Sequence, residues 1–355
     1  MSKIISFPHI GSYYIPVKYF FSNITNQEIL VPPPITKKTK NLGCKYSPDF
    51  VCVPFKYNLG NYIEALEQKA NILVQAGGGC RYGYYAELQE QILRDLGYKF
   101  TFVNFIHNNH VSIFKIYKFA KQQNHKLNIF KYFYYLISAL TILVTMDLLD
   151  KYYRKLSPFE EVKSSFKQQK TIYEKKLLQT TGIIKTISLY FKYKKIYKNI
   201  KINKPSNHLK VVMLGELYSL MEPYSSYNIE QKLMDYNVEI TRHTTMTYLL
   251  LQKKFKLRYY LYKARHYIKY HLGADATESV ALTLKYAKKK YDGIVHIKSF
   301  GCTPELNATS ILDKISSDYD IPVVHFSFDA SDSETGMITR IEAFYDMLIN
   351  KRNSR

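Results

Sequence analysis

The sequence contains no tryptophan, only four cysteines, and far fewer acidic than basic residues. Its 29 Asp and Glu stand against 51 Lys and Arg, a formal net charge of +22 at pH 7. The N-terminus lacks the charged and apolar regions of a signal peptide, so we expect a cytoplasmic protein. The cytosol keeps thiols reduced, which argues against a disulfide framework. The four cysteines are therefore expected to bind metal, to act in catalysis or to lie buried as small apolar residues.

Long apolar runs are also scarce. The most apolar stretch, Leu136–Met146, has about half of the roughly 20 residues that a membrane-spanning helix needs, and Asp147 follows it directly. We therefore predict a buried helix in a soluble protein and no membrane span. Apolar residues make up 46% of the 355 residues, enough for two domains that each have a core.

The positive charge is unevenly distributed. Residues 151–204 hold fifteen Lys and Arg but only three glutamates, and residues 253–269 hold no acid. Such a surface attracts nucleic acids, anionic cofactors or acidic proteins without distinguishing among them. The alternative is a solvated lysine-rich surface. Nucleic-acid binding would depend on charge alone, and we do not expect it.

Short apolar runs alternate with helical periodicity at both ends of the chain. Residues 1–110 begin with the strand-like run Lys3–Phe7, and residues 206–355 repeat the plan from Lys210–Leu214. Residues 111–205 are rich in lysine and tyrosine and keep only helical periodicity. The pattern predicts an α/β fold: two lobes with parallel sheets and a helical insertion between them in the sequence.

Three cysteines lie where a strand-like run gives way to a helix. Cys52 ends the run DFVC, Cys80 follows NILVQ and the triple glycine Gly77–Gly79, and Cys302 follows GIVHIKSFG. Ligands of open α/β sheets bind at the carboxyl ends of strands. Helix N-termini also favour thiolates and offer N–H groups to cluster sulfurs, so these positions suit an anionic metal cluster. Cys44, in the predicted polar loop KNLGCKYS, is either a fourth ligand or a bystander.

The cysteine spacing leaves alternatives open. The intervals Cys44-x₇-Cys52-x₂₇-Cys80, with Cys302 more than two hundred residues later, match neither zinc knuckles nor a ferredoxin. From spacing alone, a metal site and buried structural cysteines are equal alternatives, and position favours the metal. A zinc protein is a third possibility. The triple glycine lacks the Lys-Ser/Thr pair of a phosphate-binding P-loop.

Four segments resemble the superfamily of 2-hydroxyacyl-CoA dehydratases and benzoyl-CoA reductases, in particular its branch of acyl-CoA dehydratase activase-related proteins. They are residues 52–67, 73–98, 293–305 and 322–344. The resemblance implies two Rossmann-like lobes facing a cleft that holds a [4Fe–4S] cluster. It also implies that Cys52, Cys80 and Cys302 are ligands of this cluster, with Cys44 as a fourth.

The resemblance further implies a function. In the dehydratases, an ATP-hydrolysing activase supplies one low-potential electron, and the reduced cluster makes a ketyl radical from a CoA thioester. The chain would then be an iron–sulfur protein that transfers low-potential electrons together with such an activase, with a CoA thioester as a candidate substrate. However, true dehydratases have two related subunits and an open iron site, and four cysteines can saturate one cubane. The alternative is a non-catalytic binding or regulatory subunit with a structural cluster, so the sequence leaves open whether the chain is an enzyme.

Other polar residues near these segments allow two interpretations each. His296 and His325 lie inside predicted strands and are expected to be core histidines, with His296 near enough to Cys302 to influence a cluster. Arg81 and Lys298 flank ligand cysteines and either neutralise cluster charge or are surface charges. Three residues after the final strand form an acid–base pair or take part in capping a helix: Asp329, Glu334 and Arg340.

Overall fold

The structure is a computed structural model that describes residues 3–77, 80–107, 110–329 and 334–354. Some of the features considered above lie outside the described residues. They are Gly78, Gly79, most of the loop after the last predicted strand (residues 330–333), and the side chains of Arg81 and Tyr82.

The chain folds into two compact units. The N-terminal unit comprises Met1–Leu143 and Leu177–Thr186, and the C-terminal unit comprises Val144–Lys176 and Ile187–Arg355. The limits of the units fall inside helices of the lysine-rich middle segment. The boundaries near residues 110 and 205 stay a prediction.

The N-terminal unit contains a four-stranded parallel sheet in the order β2-β1-β3-β4. Its strands are β1 (Ile4–Ser6), β2 (Glu28–Ile29), β3 (Ile72–Gln75) and β4 (Thr101–Asn104). A short antiparallel pair follows, formed by β5 (Ile106–His107) and β6 (His110–Val111). All four residues of β3 are buried, as expected for a central strand of a parallel sheet.

Helices cover both faces of this sheet. They are α1 (Tyr14–Thr25), α2 (Lys37–Tyr46), α3 (Val53–Glu67), α4 (Tyr85–Asp95) and α5 (Ile113–Gln123). Alternate residues of β3 belong to different cores: Ile72 packs in a core with Phe20 of α1, and Leu73 in a core with Phe55 of α3. Side chains of successive strand residues point to opposite faces, so each face has its own apolar layer.

Two local predictions for cysteines are wrong. Cys44 lies within α2 and not in a loop, because Thr36 and Thr39 form a capping box that starts this helix. Cys52 does not end a strand: it is the N-cap of α3, whose first turn contains Pro54. Proline is favoured in the first turn of a helix, and α3 accordingly begins at Val53, directly after Cys52.

Two glycines let α2 and α3 contact each other through their backbones. A Cβ atom added to Gly43 would lie 1.8 Å from the carbonyl oxygen of Lys56, and one added to Gly60 would lie 2.0 Å from that of Thr39. Backbone atoms cannot move aside as a flexible side chain can. The absence of both side chains therefore fixes how α2, which carries Cys44, packs on the helix that Cys52 caps.

We predict that Gly60→Ala lowers the free energy of unfolding by about 1–3 kcal/mol, because the new methyl group overpacks the contact with Thr39. Asn41→Ala is the matched control, because Asn41 belongs to the same pair of helices, in α2, but its side chain is exposed. Its effect is expected to stay within about 0.5 kcal/mol. Urea unfolding measures both, and equal stabilities would contradict the close helix contact.

The middle segment is helical, as predicted. After α5, which packs in the core of the N-terminal sheet, it contains α6 (Ile129–Leu156), α7 (Ser165–Leu178) and α8 (Ile183–Asn199). Asp147 does not mark the end of the apolar helix: it is buried within α6 and accepts a hydrogen bond from the backbone N–H of Thr247 at 2.9 Å. Among the described residues, one helix, Ile129–Phe159, is long and apolar enough to cross a membrane. Half of its most apolar window is buried in the protein, so length and composition are weak evidence.

The C-terminal unit contains a second four-stranded parallel sheet, in the order β10-β9-β7-β8. Its strands are β7 (Lys210–Gly215), β8 (Glu239–Arg242), β9 (Gly293–Ser299) and β10 (Val323–Phe328). Its helices are α9 (Leu217–Met221), α10 (Ile229–Asp235), α11 (Lys253–Ala264), α12 (Ala276–Lys288), α13 (Thr303–Tyr319) and α14 (Glu334–Asn353). Two parallel sheets with many helices confirm the predicted α/β class with two Rossmann-like lobes.

Helices pack on both faces of this second sheet as well. Val212 and Ile294 share a core with buried residues of α11, α12 and α13. On Gly293, a Cβ atom would lie 2.8 Å from the ring of Phe344 and 2.9 Å from Leu348, both in α14. All of β9 and all of β7 except its first residue are buried, and polar side chains lie at the carboxyl ends of both strands.

Candidate functional site at the carboxyl edge of the C-terminal sheet

A buried carboxyl group lies at the end of β7. Glu216 follows Gly215, whose φ of +125° is a conformation that favours glycine, and a Cβ on Gly215 would lie 1.9 Å from the carbonyl oxygen of Ile297. Glu216 accepts hydrogen bonds from the backbone N–H of Ser299 at 2.7 Å, from the Ser299 hydroxyl, and from the Ser219 hydroxyl at 3.3 Å. Burial raises the pKa of Glu216 to about 7, although these hydrogen bonds act to lower it.

A second buried carboxyl group lies in the first turn of α13. Glu305 is 1% exposed; its Oε2 lies 2.9 Å from His296 Nε2 and its Oε1 accepts from the Ser279 hydroxyl at 3.1 Å. Burial, followed by the charge of Asp275, raises the pKa of Glu305 to about 8. Burial and the nearby Lys298 lower the pKa of His296 to about 3. At neutral pH both groups are therefore uncharged, and their contact is a hydrogen bond between neutral partners and not an ion pair.

The hydrogen bonds continue from His296 to the surface. Its Nδ1 lies 2.7 Å from His325 Nδ1, and His325 Nε2 lies 2.8 Å from Asp313 Oδ1. His296 has no exposed surface, whereas the side chains of His325 and Asp313 are 20% and 60% exposed. His296 is thus a core histidine with a hydrogen-bond partner on each ring nitrogen, as the sequence predicts. His325 is partly exposed.

Cys302 and Lys298 lie beside these acids. Cys302 follows β9 and is the N-cap of α13, as predicted, and it is partly buried. Lys298 is 5% exposed and is therefore not a surface charge; burial lowers its pKa, while the charges of Cys302 and Glu305 oppose that shift. A thiolate at Cys302 would have a lysine ammonium and a helix N-terminus nearby, and both stabilise negative charge.

The N-terminal unit carries the other three cysteines. The Cys52 sulfur lies 2.6 Å from the Tyr85 hydroxyl, so the N-cap of α3 contacts the first residue of α4. Cys80 is exposed, follows β3, and accepts a hydrogen bond on its carbonyl oxygen from the N–H of Gly83. Cys44 is partly buried in α2. Within the described ranges, no three His, Cys, Asp or Glu side chains form a group that could hold a metal ion.

Residues predicted near the end of β10 have partners of their own. Arg340 Nη2 donates to the carbonyl oxygen of His325 at 2.6 Å, and its guanidinium lies 4.8 Å from the centre of the Phe326 ring. Glu334 pairs with Lys232 at 3.1 Å. These contacts support β10 and α14.

Sequence reasoning missed several buried charged residues of the C-terminal unit. Lys253 lies 2.5 Å from Asp275 and 3.1 Å from Glu278, both at the start of α12. Like Glu216 and Glu305, these three residues lie directly after a strand or at the start of a helix. The one available signal was the position of each acid at the start of a predicted helix, which is equally typical of ordinary helix N-termini.

We predict that Glu216 lowers the stability of the C-terminal unit as pH rises, while the lowered pKa of His296 acts in the opposite sense between its lowered and its ordinary value. The pKa of Glu216 is raised from 4.5 to about 7, so its contribution is fully present below its ordinary pKa and is lost as pH rises through about 7. Its share corresponds to about 2–3 kcal/mol between pH 5 and 8. Urea unfolding at several pH values should show a flatter profile for Glu216→Gln, but no flattening for the exposed control Glu334→Gln. An unchanged profile in Glu216→Gln would refute the raised pKa.

Comparison with known proteins bears on this same region. The family model described as 2-hydroxyglutaryl-CoA dehydratase, D-component, matches residues 252–348. The matched segment extends from α11 to α14 and contains Cys302, Lys298, His296 and Glu305. A comparison with curated proteins gives no match. Over residues 252–348 the chain is therefore similar to this dehydratase component, which confirms the resemblance seen in the sequence for the segments 293–305 and 322–344.

Proposed function

We propose that the chain is a 2-hydroxyacyl-CoA dehydratase-type component that carries a [4Fe–4S] cluster and transfers low-potential electrons in the cytoplasm. It would receive them from an ATP-dependent activase and act on a CoA thioester. One observation carries the proposal: the family match covers the segment in which Cys302 caps α13 directly after the central strand β9. That position lies at the N-terminus of α13, where the helix dipole favours an anionic centre.

The proposed ligands are Cys52, Cys80 and Cys302, and Cys44 is the candidate for a fourth position that a substrate could otherwise occupy. Cys52 and Cys302 are both N-caps of long helices, and Cys80 immediately precedes a helical turn that leads into α4. The sulfurs of these three residues are thus at a helix start or close to one, a setting that lowers thiol pKa values, whereas Cys44 lies in the last turn of α2. Because the described residues contain no ready-made metal group, the assembled cluster is inferred from these positions and from the family.

The chain's own residues have separate tasks in this proposal. The Lys298 ammonium offsets negative charge at Cys302. Ser299 and Glu216 link the ends of β9 and β7 by hydrogen bonds and so fix the backbone from which Cys302 extends. When bound, the cluster would supply a one-electron reductant. The two acids near Cys302, Glu216 and Glu305, are buried and are therefore shielded from water.

Iron content tests the cluster directly. Protein purified without oxygen is expected to be brown and to contain about four irons and four sulfides per chain. Elemental analysis on the same sample separates this result from a zinc protein. A folded, colourless protein without iron would refute the cluster and, with it, the proposed electron transfer.

Cysteine substitutions separate the two functional alternatives. We expect Cys302→Ser to lose most of the bound iron, because it removes the ligand from the matched segment, and Cys44→Ser to retain it. Retention would leave one iron open for a substrate, as dehydration requires. Loss of iron in both variants would instead favour a saturated structural cluster and a non-catalytic subunit. Iron analysis and the absorption spectrum of each folded variant provide the measurement.

A further inference from the structure

Four side chains of the C-terminal unit form a continuous line of hydrogen bonds from the core to the surface. Glu305 Oε2 contacts His296 Nε2 at 2.9 Å, the two histidine Nδ1 atoms lie 2.7 Å apart, and His325 Nε2 contacts Asp313 Oδ1 at 2.8 Å. Glu305 and Asp313 both belong to α13, two turns apart, and the histidines lie side by side on β9 and β10. The line begins at a buried acid and ends at an exposed one.

The direction of these hydrogen bonds can be worked out from the outer end. The Asp313 carboxylate can only accept, so His325 must donate from Nε2. A neutral His325 then accepts at Nδ1, which requires the proton of His296 to be on its Nδ1. His296 Nε2 is left as an acceptor, so Glu305 must be the donor and therefore a protonated acid. The Ser279 hydroxyl donates to the other oxygen of Glu305, which is consistent with this assignment.

We propose that Glu305, His296, His325 and Asp313 form a proton relay that connects the buried end of α13 with solvent. In one transfer, Glu305 gives its proton to His296 Nε2, His296 gives its Nδ1 proton to His325 Nδ1, and His325 gives its Nε2 proton to Asp313. Three bonds to hydrogen break and three form, one at each contact. The net result is one proton moved from Glu305 to Asp313, and the same contacts then point inward for its return.

Burial holds the inner end of the relay neutral, and the charged groups around it act in both directions. Glu305 faces Lys298 on β9, Asp275 at the start of α12 and Lys253 of α11. His325 faces Asp313 of α13 and His296 and Lys298 of β9, and Arg340 of α14 donates to its carbonyl oxygen. Burial acts against charge on both His296 and Glu305. An ion pair between His296 and Glu305 is therefore disfavoured. From the neutral arrangement, the transfer requires only that protons move between atoms that are already in contact.

The relay goes beyond the proposed function and does not require the cluster. If the proposed function holds, the relay would let Glu305 lose and regain a proton near Cys302 without opening the core. Uptake of an electron, or departure of a hydroxyl group as water, each calls for such proton delivery. The test below uses the protein without substrate or activase, so its outcome is independent of iron content.

The experiment observes the histidine ring nitrogens of the full chain, labelled with ¹⁵N-histidine, by long-range ¹H–¹⁵N NMR. At pH 6.5 we expect the proton of His296 on Nδ1 and that of His325 on Nε2. As pH rises through about 8, Glu305 ionises, and both histidines are expected to change tautomer together. In Glu305→Gln the amide N–H donates permanently to His296, so the starting tautomers should persist and the pH step should disappear.

Two further variants serve as controls. Asp313→Asn alters only the exposed end. It replaces the carboxylate that holds the His325 proton on Nε2 by a neutral amide, which can donate to Nε2 after the tautomer changes, so the step should occur about one unit lower in pH. Asp318→Asn, on the same helix and paired with Lys314 and Tyr267, should leave the step unchanged. His296→Gln and His325→Gln assign the signals. The relay is refuted if the tautomer of His296 stays constant from pH 6 to 10 in the unaltered chain, or if the step survives in Glu305→Gln.

Discussion

The carboxyl edge of the C-terminal sheet depends on two buried acids that no cation contacts directly among the residues that the structure describes. Removing a carboxylate from water is expensive unless hydrogen bonds compensate, and the usual outcome is a raised pKa. Glu216 and Glu305 follow this rule in different ways. Glu216 gathers donors from Ser299 and Ser219, whereas Glu305 holds its proton and shares it with His296. Both arrangements keep the ends of β7 and β9 and the start of α13 in one fixed geometry.

The same fixed geometry determines the environment of Cys302. This residue lies between Ser299, which is bound to Glu216, and Glu305, which is bound to His296. Movement of the loop would break hydrogen bonds on both sides. In the N-terminal unit, the backbone contact between α2 and α3 plays the corresponding part for Cys44 and Cys52. Rigid support of this kind is what a metal ligand requires if the loaded and empty protein are to have similar structures.

Much of the fold was predictable because the sequence pattern is local. The strands Lys3–Phe7 and Lys210–Leu214 and the helices that follow them show clear periodicity, and both belong to parallel sheets. The short strand Glu239–Arg242 was missed, since its residues EITR carry no apolar run. The run DFVC suggested a strand that ends at Cys52, whereas Cys52 is the N-cap of a helix that begins at Val53.

The candidate site was harder to predict than the fold. The position of Cys302 could be read from the strand before it and the helix after it. The roles of Glu305 and Asp313 could not, because their contacts with His296 and His325 join residues nine and twelve positions apart on different elements. The sequence left open whether Lys298 is a surface charge, and the structure buries it. In each of these cases tertiary packing, and not the residue type, determines what the side chain does.

The close contact between Gly215 and the main chain of Ile297 limits which residues can occupy position 215. Any side chain at position 215 would strike the neighbouring main chain, and its φ of +125° disfavours other residues as well. The main-chain conformation at Gly215 therefore directs the Glu216 side chain towards Ser299. A single methyl group added at position 215 would therefore turn the Glu216 carboxyl group away from Ser299 and break the hydrogen bonds that join the ends of β7 and β9.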